Sequence, residues 1–313
     1  MAPRVMTVSG PIPPDHVGFT LPHEHTSAGP EVAARREQLF DLTSDPELIL
    51  EELHDFRRRG GSCVVDVTSG GLGRDPLWLR DLATRSGIFI VMGTGWYRQQ
   101  WYPPEARIDR RSVADLAAEI VAEFEHGVAE TKVRPGIIGE IGTDHGWVSA
   151  QEERVHRAAA RAARDTGLAV TTHSLYSQVG LDQLRIFEEE GLDPARVIIG
   201  HADSVPYLDY YLAILDRGAS VQFDLLGAPG DAVREQGEPR LIEIIVELLE
   251  RGFTDQILLS HDVAANRQLK TYGGNGYTYL AQHFLPKLRT AAVGEGEIAR
   301  MTIDNPRRIL TIG

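Results

Sequence analysis

Apolar residues along this chain fall into two rhythms. Eight short, β-rich runs end in polar residues: GFTLPHEH (18–25), SCVVDVT (62–68), IFIVMGT (88–94), GIIGEIG (136–142), LAVTTHS (168–174), RVIIGHA (196–202), ASVQFDL (219–225) and ILLSHDV (257–263). Several are almost continuously apolar, as strands covered on both faces require. The stretches between them carry apolar residues at helical spacing. DPELILEELHDFRRRGG (45–61) opens on an Asp-Pro cap signal and closes on glycine; SVADLAAEIVAEFEHG (112–127) follows the same rhythm. Ser149 and Glu152 open 149–167 with a capping-box pattern. Segments 181–191, 206–218 and 239–252 each end in glycine, and 278–289 and 295–310 close the chain as two further helical patterns.

Eight strands alternating with helices predict a TIM (β/α)8 barrel, an α/β fold. The rival, an open doubly wound sheet, normally carries a Gly-rich phosphate fingerprint after an early strand. Gly70, Gly71 and Gly73 lack the GxGxxG spacing, so TSGGLGRDP (68–76) reads as a strand-to-helix loop. RVMTVSGPIPPDHVGFTL (4–21) reads as a short N-terminal β-hairpin leading into strand one. No Pro- or Ser-rich linker interrupts the alternation, so residues 1–313 are expected to form one domain.

Composition narrows the function. The 313 residues are 42% hydrophobic and 25% charged, an ordinary globular balance. A formal charge of −13 argues against a nucleic-acid partner. The single cysteine, Cys63, sits in an apolar run and reads as a small core residue. The N-terminus shows no apolar secretory core and no run approaches the roughly 18 apolar residues of a membrane span. A cytoplasmic location and no membrane partner are therefore expected.

The candidate chemistry lies at the strand ends. Run one offers His23 and His25, run four Glu140, run five His173, run six His201 and run eight Asp262. A lone HxH is weak, and a lone buried histidine is usually a satisfied core group. Five strands of one barrel, however, would bring all six to its C-terminal rim. Imidazole and carboxylate are the ligands of Zn²⁺ and similar ions, and six exceed what one tetrahedral ion needs. Two divalent ions with a bridging carboxylate fit better, and such a pair makes water a nucleophile at neutral pH. His16, His54, His126, His156 and His283 read as core or surface groups, and His145 is ambiguous. Strand alternation points Glu24 and His261 away from the ligands beside them. Asp66 and Asp224 read as structural hydrogen-bonders.

The stretches GFTLPHEH, GEIGTD, TTHS, VIIGHAD, ILLSHD, YGGNGYTYL and DNPRRIL together resemble the phosphotriesterase-like members of the amidohydrolase superfamily, over nearly the whole chain. The resemblance implies a TIM barrel with a binuclear centre. His23, His25 and Asp262 would hold the more buried ion, His173 and His201 the more exposed one, and Glu140 would bridge them. Glutamate at the bridge, in place of a carboxylated lysine, matches the phosphotriesterase homology protein branch. Leu225 stands where phosphotriesterases carry a relay histidine and certain lactonases an arginine, so efficient phosphotriester cleavage is not expected. A homodimer is also what the resemblance implies.

These readings converge on a metal-dependent hydrolase of a small molecule. The bridging hydroxide would attack the carbonyl of a lactone or related carboxylic ester, with Asp262 shuttling the proton. The alternatives are an amide hydrolase of N-acyl amino or sulfonic acids, a weak promiscuous phosphotriesterase, or a metal-binding protein without catalysis. Zinc leads among the metals, with Mn, Co and Fe compatible with the same ligands. Tyr97 is either a substrate contact or a rim aromatic packed on Trp96 or Trp101. Arg267 and Lys270 either meet an anionic substrate tail or are solvated charges.

Overall fold

The structure is a computed structural model that describes residues 2–26, 45–228 and 232–313. It opens with a hairpin, β1 (Arg4–Thr7) and β2 (Gly10–Ile12). Eight parallel strands follow: β3 (Phe19–Glu24), β4 (Gly61–Asp66), β5 (Phe89–Thr94), β6 (Ile137–Gly142), β7 (Val170–His173), β8 (Val197–Ile199), β9 (Ser220–Phe223) and β10 (Ile257–Leu259). Each pairs with its sequence neighbour, and helices fill the connections, so the chain is a TIM barrel. The last strand meets the first through single contacts. The Asp262 N–H donates to the His23 carbonyl (3.2 Å), that of His25 to the Val263 carbonyl (3.3 Å) and that of His23 to Ser260 Oγ (3.1 Å). The closing seam thus runs through three of the six candidate ligands.

Alternation sorts the strand residues into two cores. Val64, Ile90, Met92, Val170, Ile199, Val221, Phe223 and Leu259 face the helices. Cys63, Val65, Val67, Val91, Ile137, Ala169, Ile198 and Leu258 fill the barrel with Val5, Val17, Ile309 and Leu310. Those last four come from the chain's two ends, which close the bottom. There β11 (Thr311–Ile312) pairs with β1, a strand the sequence reading lacks.

Five helical elements differ from expectation. A helix at Pro76–Ser86 follows β4, although its signals are plain: Asp75 caps it by accepting from Leu77 N and Trp78 N, and Gly87 ends it at φ 66°. The helix expected from 239 begins at Ala232 and runs through Pro239. The Asp45 side chain makes no cap bond to its helix, Pro46–Arg58, and accepts from the Tyr272 hydroxyl instead (3.0 Å). The two final helical patterns are each broken by a π-helical turn, at Leu280–Phe284 and Arg300–Asp304. The capping box at Ser149 and Glu152 forms as expected.

Candidate metal centre

Local irregularities aim the six side chains inward. β3 slips register against β4 between Leu21 and Glu24, just before His25, and β6 slips against β7 between Ile138 and Ile141, around Glu140. Such bulges re-aim side chains and cluster beside active sites. His201 and Asp262 lie beyond the ends of β8 and β10, both in the left-handed region at φ 53°. Non-glycine residues held there cost energy that the surroundings must offset. Glycine precedes two of the six because the chains crowd. A Cβ at Gly200 would lie 2.0 Å from the Thr172 carbonyl oxygen, and one at Gly139 would lie 2.3 Å from that of Thr171.

The side chains converge on the Glu140 carboxylate. Its Oε1 is 3.4 Å from His25 Nε2, and its Oε2 lies 2.9 Å from His173 Nδ1, 3.4 Å from His201 Nε2 and 3.5 Å from His23 Nε2. Asp262 Oδ1 stands 3.2 Å from His25 Nε2 and 3.7 Å from His23 Nε2. Asp262 is 20% exposed at its side chain, while the other five are almost sealed from solvent. His23 Nε2 is buried without a hydrogen-bond partner among the described residues, and ligand atoms of His23, His25 and Glu140, of Glu140, His173 and His201, and of His23, His201 and Asp224 form groups that could hold an ion. Lone pairs crowded this closely with an orphaned imidazole nitrogen fit a divalent cation.

A second layer fixes the rings. Asp224 reaches two of them at once: Oδ2 is 3.1 Å from His23 Nδ1, and Oδ1 is 2.7 Å from His201 Nδ1. It faces the Nδ1 sides and leaves both Nε2 atoms toward Glu140, where it can orient these histidines, and its own ligand atoms form a further ion-sized group with theirs. The sequence reading had Asp224 as a structural hydrogen-bonder, and its bonds to the His201 N–H (3.0 Å) and Nδ1 (2.7 Å) agree with that. The signal was the alternation Ser220, Gln222, Asp224 against Val221 and Phe223, which turns a polar face into the barrel. His25 Nδ1 contacts the Thr68 hydroxyl (3.0 Å), and Asp66 holds the Thr68 N–H (3.0 Å) and the Thr26 N–H (2.7 Å). Glu24, fully buried, accepts from Ser260 Oγ (2.8 Å), His261 N (3.0 Å) and Val263 N (2.8 Å). The Leu280 N–H donates to His261 Nε2, so Nδ1 carries the proton that His261 gives to Glu24. His261 does turn away from the cluster. The left-handed turn at Asp262 and the grip of Glu24 send it there, since these residues lie past the strand.

Charge follows from this packing. Burial opposes ionisation of His25 and His201, yet the carboxylates Asp262 and Glu140 around the first, and Asp224 and Glu140 around the second, hold both well above the ordinary histidine range. Burial and the adjacent His201 push His173 down to about 4. Glu140 lies well below the usual carboxylate range because His173, His201 and His25 outweigh its burial. Asp262 is lowered in the same sense by His25, His201 and His23.

The remaining candidates separate. Tyr97 does two things: its ring packs with Trp101 (centroids 6.0 Å apart), and its hydroxyl lies 3.1 Å from His173 Nδ1. The Lys270 ammonium is paired with Asp55, and its backbone N–H donates to Glu52. Arg267 is exposed, and no partner among the described residues binds it. His145 is exposed and stacked on Trp147.

A parallel barrel whose rim gathers four histidines and two carboxylates defines a metal-dependent hydrolase. The chain matches the Phosphotriesterase family over residues 3–310 and belongs to it. It is 34% identical to the phosphotriesterase homology protein of Escherichia coli, over 93% of this chain and 97% of that one. An N-acetyltaurine hydrolase from Dictyostelium discoideum is 32% identical, covering 86% of this chain and 74% of its own. Among solved structures, a lactonase from Listeria monocytogenes superposes with a TM-score of 0.91 at 28% identity, over 98% of both chains.

Proposed function

We propose that the protein hydrolyses a small carboxylic ester or lactone at a binuclear centre. In this reading His23, His25 and Asp262 would hold one divalent ion and His173 and His201 the other, with Glu140 as the residue that would serve both. The observation that carries it is the central position of Glu140, with one carboxylate oxygen toward His25 and the other toward His173, His201 and His23, so that one carboxylate touches imidazoles of both sets. Two divalent ions, zinc foremost, would polarise a carbonyl oxygen and acidify a water to the nucleophilic range near neutral pH.

The chain's own groups supply the rest. Asp262, the most open of the six, takes the proton of the attacking water and returns it to the leaving oxygen. Burial, with Glu140 nearby, keeps the Tyr97 phenol protonated well above its usual range, so its hydroxyl serves as a neutral donor beside His173. Leu225, nearly buried, offers no proton relay after β9, which disfavours phosphotriester chemistry.

A second reading is an N-acyl amide, favoured by the N-acetyltaurine hydrolase relative. The ester stays first because an alcohol leaves more readily than an amine, which must be protonated as it departs and so demands a stronger general acid. Protein of defined metal content assayed on matched ester, lactone and amide substrates decides. Amide turnover equal to or above the ester's selects the second reading, and no turnover of any of them contradicts both.

A further inference from the structure

Beside the cluster, the stretch GWYRQQWY (95–102) places one cation among aromatic rings. The Arg98 guanidinium carbon sits 4.8 Å from the Tyr97 ring centroid and 5.9 Å from that of Trp101. The Tyr97 ring is in turn 4.9 Å from the His173 ring, so Arg98 stands one ring away from the cluster. Its side chain is 18% exposed.

Arg98 is fixed but incompletely bonded. Its Nε faces Asp144 Oδ1 at 3.6 Å, too far for a hydrogen bond, and both atoms are buried without another partner among the described residues. Asp144 is itself anchored, accepting from the Gln100 N–H (2.8 Å), while its own N–H donates to Glu152 (2.7 Å). Gly142 makes room for this arrangement. A Cβ there would lie 3.4 Å from Arg98 Cβ and 3.0 Å from His173 Cβ. The rings hold the guanidinium plane and the carboxylate charge lies toward its Nε edge, which leaves the terminal fork for a ligand. A planar, pre-oriented fork is the preferred partner of a small oxyanion. In a chain of net charge −13, with Glu140 and Asp262 at the reaction centre, an anionic substrate needs such a counter-charge.

We propose that Arg98 is a specificity residue that binds an anionic group (carboxylate, sulfonate or phosphate) on the substrate arm beyond the scissile acyl bond. The proposal rests on the carbonyl-hydrolase reading above. It is tested with Arg98→Gln and Arg98→Lys on 3-acetoxypropanesulfonate against its neutral methyl sulfone analogue, and on the corresponding acetamide pair. The ratio of kcat/KM for the anionic over the neutral member should fall about 10- to 100-fold in Arg98→Gln, chiefly through KM, and recover in part in Arg98→Lys. Equal losses on both members, or an unchanged ratio, would overturn it. Should the wild type cleave neither pair, nor any lactone, the hydrolase reading fails by itself. Arg98 is then judged by binding of propanesulfonate against dimethyl sulfone, followed by calorimetry. Selective loss of sulfonate binding in Arg98→Gln supports the proposal. Sulfonate binding that is absent from the wild type or unchanged in the variant contradicts it.

Discussion

The two ends of this barrel are built from the same eight strands and could hardly differ more. At the bottom, Val5, Val17, Cys63, Val65, Ile309 and Leu310 make a dry plug, and the Arg307 guanidinium ties the last helix to the Val17 carbonyl (3.0 and 2.7 Å). At the rim, buried histidines and carboxylates crowd together, and two of them sit in left-handed backbone. The bottom gains from burying apolar surface. The rim gives some of that up to hold polar groups in a fixed constellation, which matches the usual division of a TIM barrel into a stability face and a functional face.

Breaking the bottom should cost stability alone. Leu258→Ala is expected to lower unfolding free energy by about 2–5 kcal/mol while leaving metal affinity of the folded protein unchanged, checked by denaturant titration and chelator competition. Breaking the rim should do the reverse. Asp224→Asn is expected to weaken metal binding about 10- to 100-fold, with both ions affected because one carboxylate orients His23 and His201. If only one equivalent weakens, the shared anchoring is wrong. Glu24→Gln should weaken binding about tenfold and alter the visible spectrum of the cobalt-substituted protein, since Glu24 positions the backbone on both sides of Asp262.

The rim should also respond to pH in a definite sense. His25 and His201 are raised, so their contribution to the metal-free protein is complete below about pH 6.5 and is lost as pH climbs through their folded values. Glu140 and Asp224 are depressed, so theirs is present above the ordinary carboxylate values and is lost as pH falls through the folded ones. Metal must displace the imidazole protons, so its affinity rises with pH. The Tm increment on adding zinc should therefore widen from about pH 6 to pH 8, and a constant or shrinking increment would contradict this. The smallest effect is reserved for Lys270→Gln. With its ammonium already paired to Asp55, it should shift KM by less than about twofold.

The barrel was legible because several of its strands are near-continuous apolar runs and all eight alternate with helical patterns. The helix at 76–86 escaped because its Asp-Pro opening was absorbed into a glycine-rich loop. β11 escaped because two residues pairing with the other end of the chain leave no local pattern. The six rim residues stand out in sequence because each ends an apolar run. Their support does not, because Asp224 and Glu24 act across the fold on residues far away in sequence. Bulges and left-handed turns set the aim of the side chains, and strand alternation alone does not encode them.

Metal content and affinity of the wild type and of Glu140→Gln, taken on folded protein by inductively coupled plasma mass spectrometry and chelator competition, test the central claim most directly. Two equivalents are expected in the wild type. At most one, weakly held, is expected in the variant, with hydrolysis lost. Two equivalents at unchanged affinity in Glu140→Gln would contradict the bridging role and, with it, the binuclear centre.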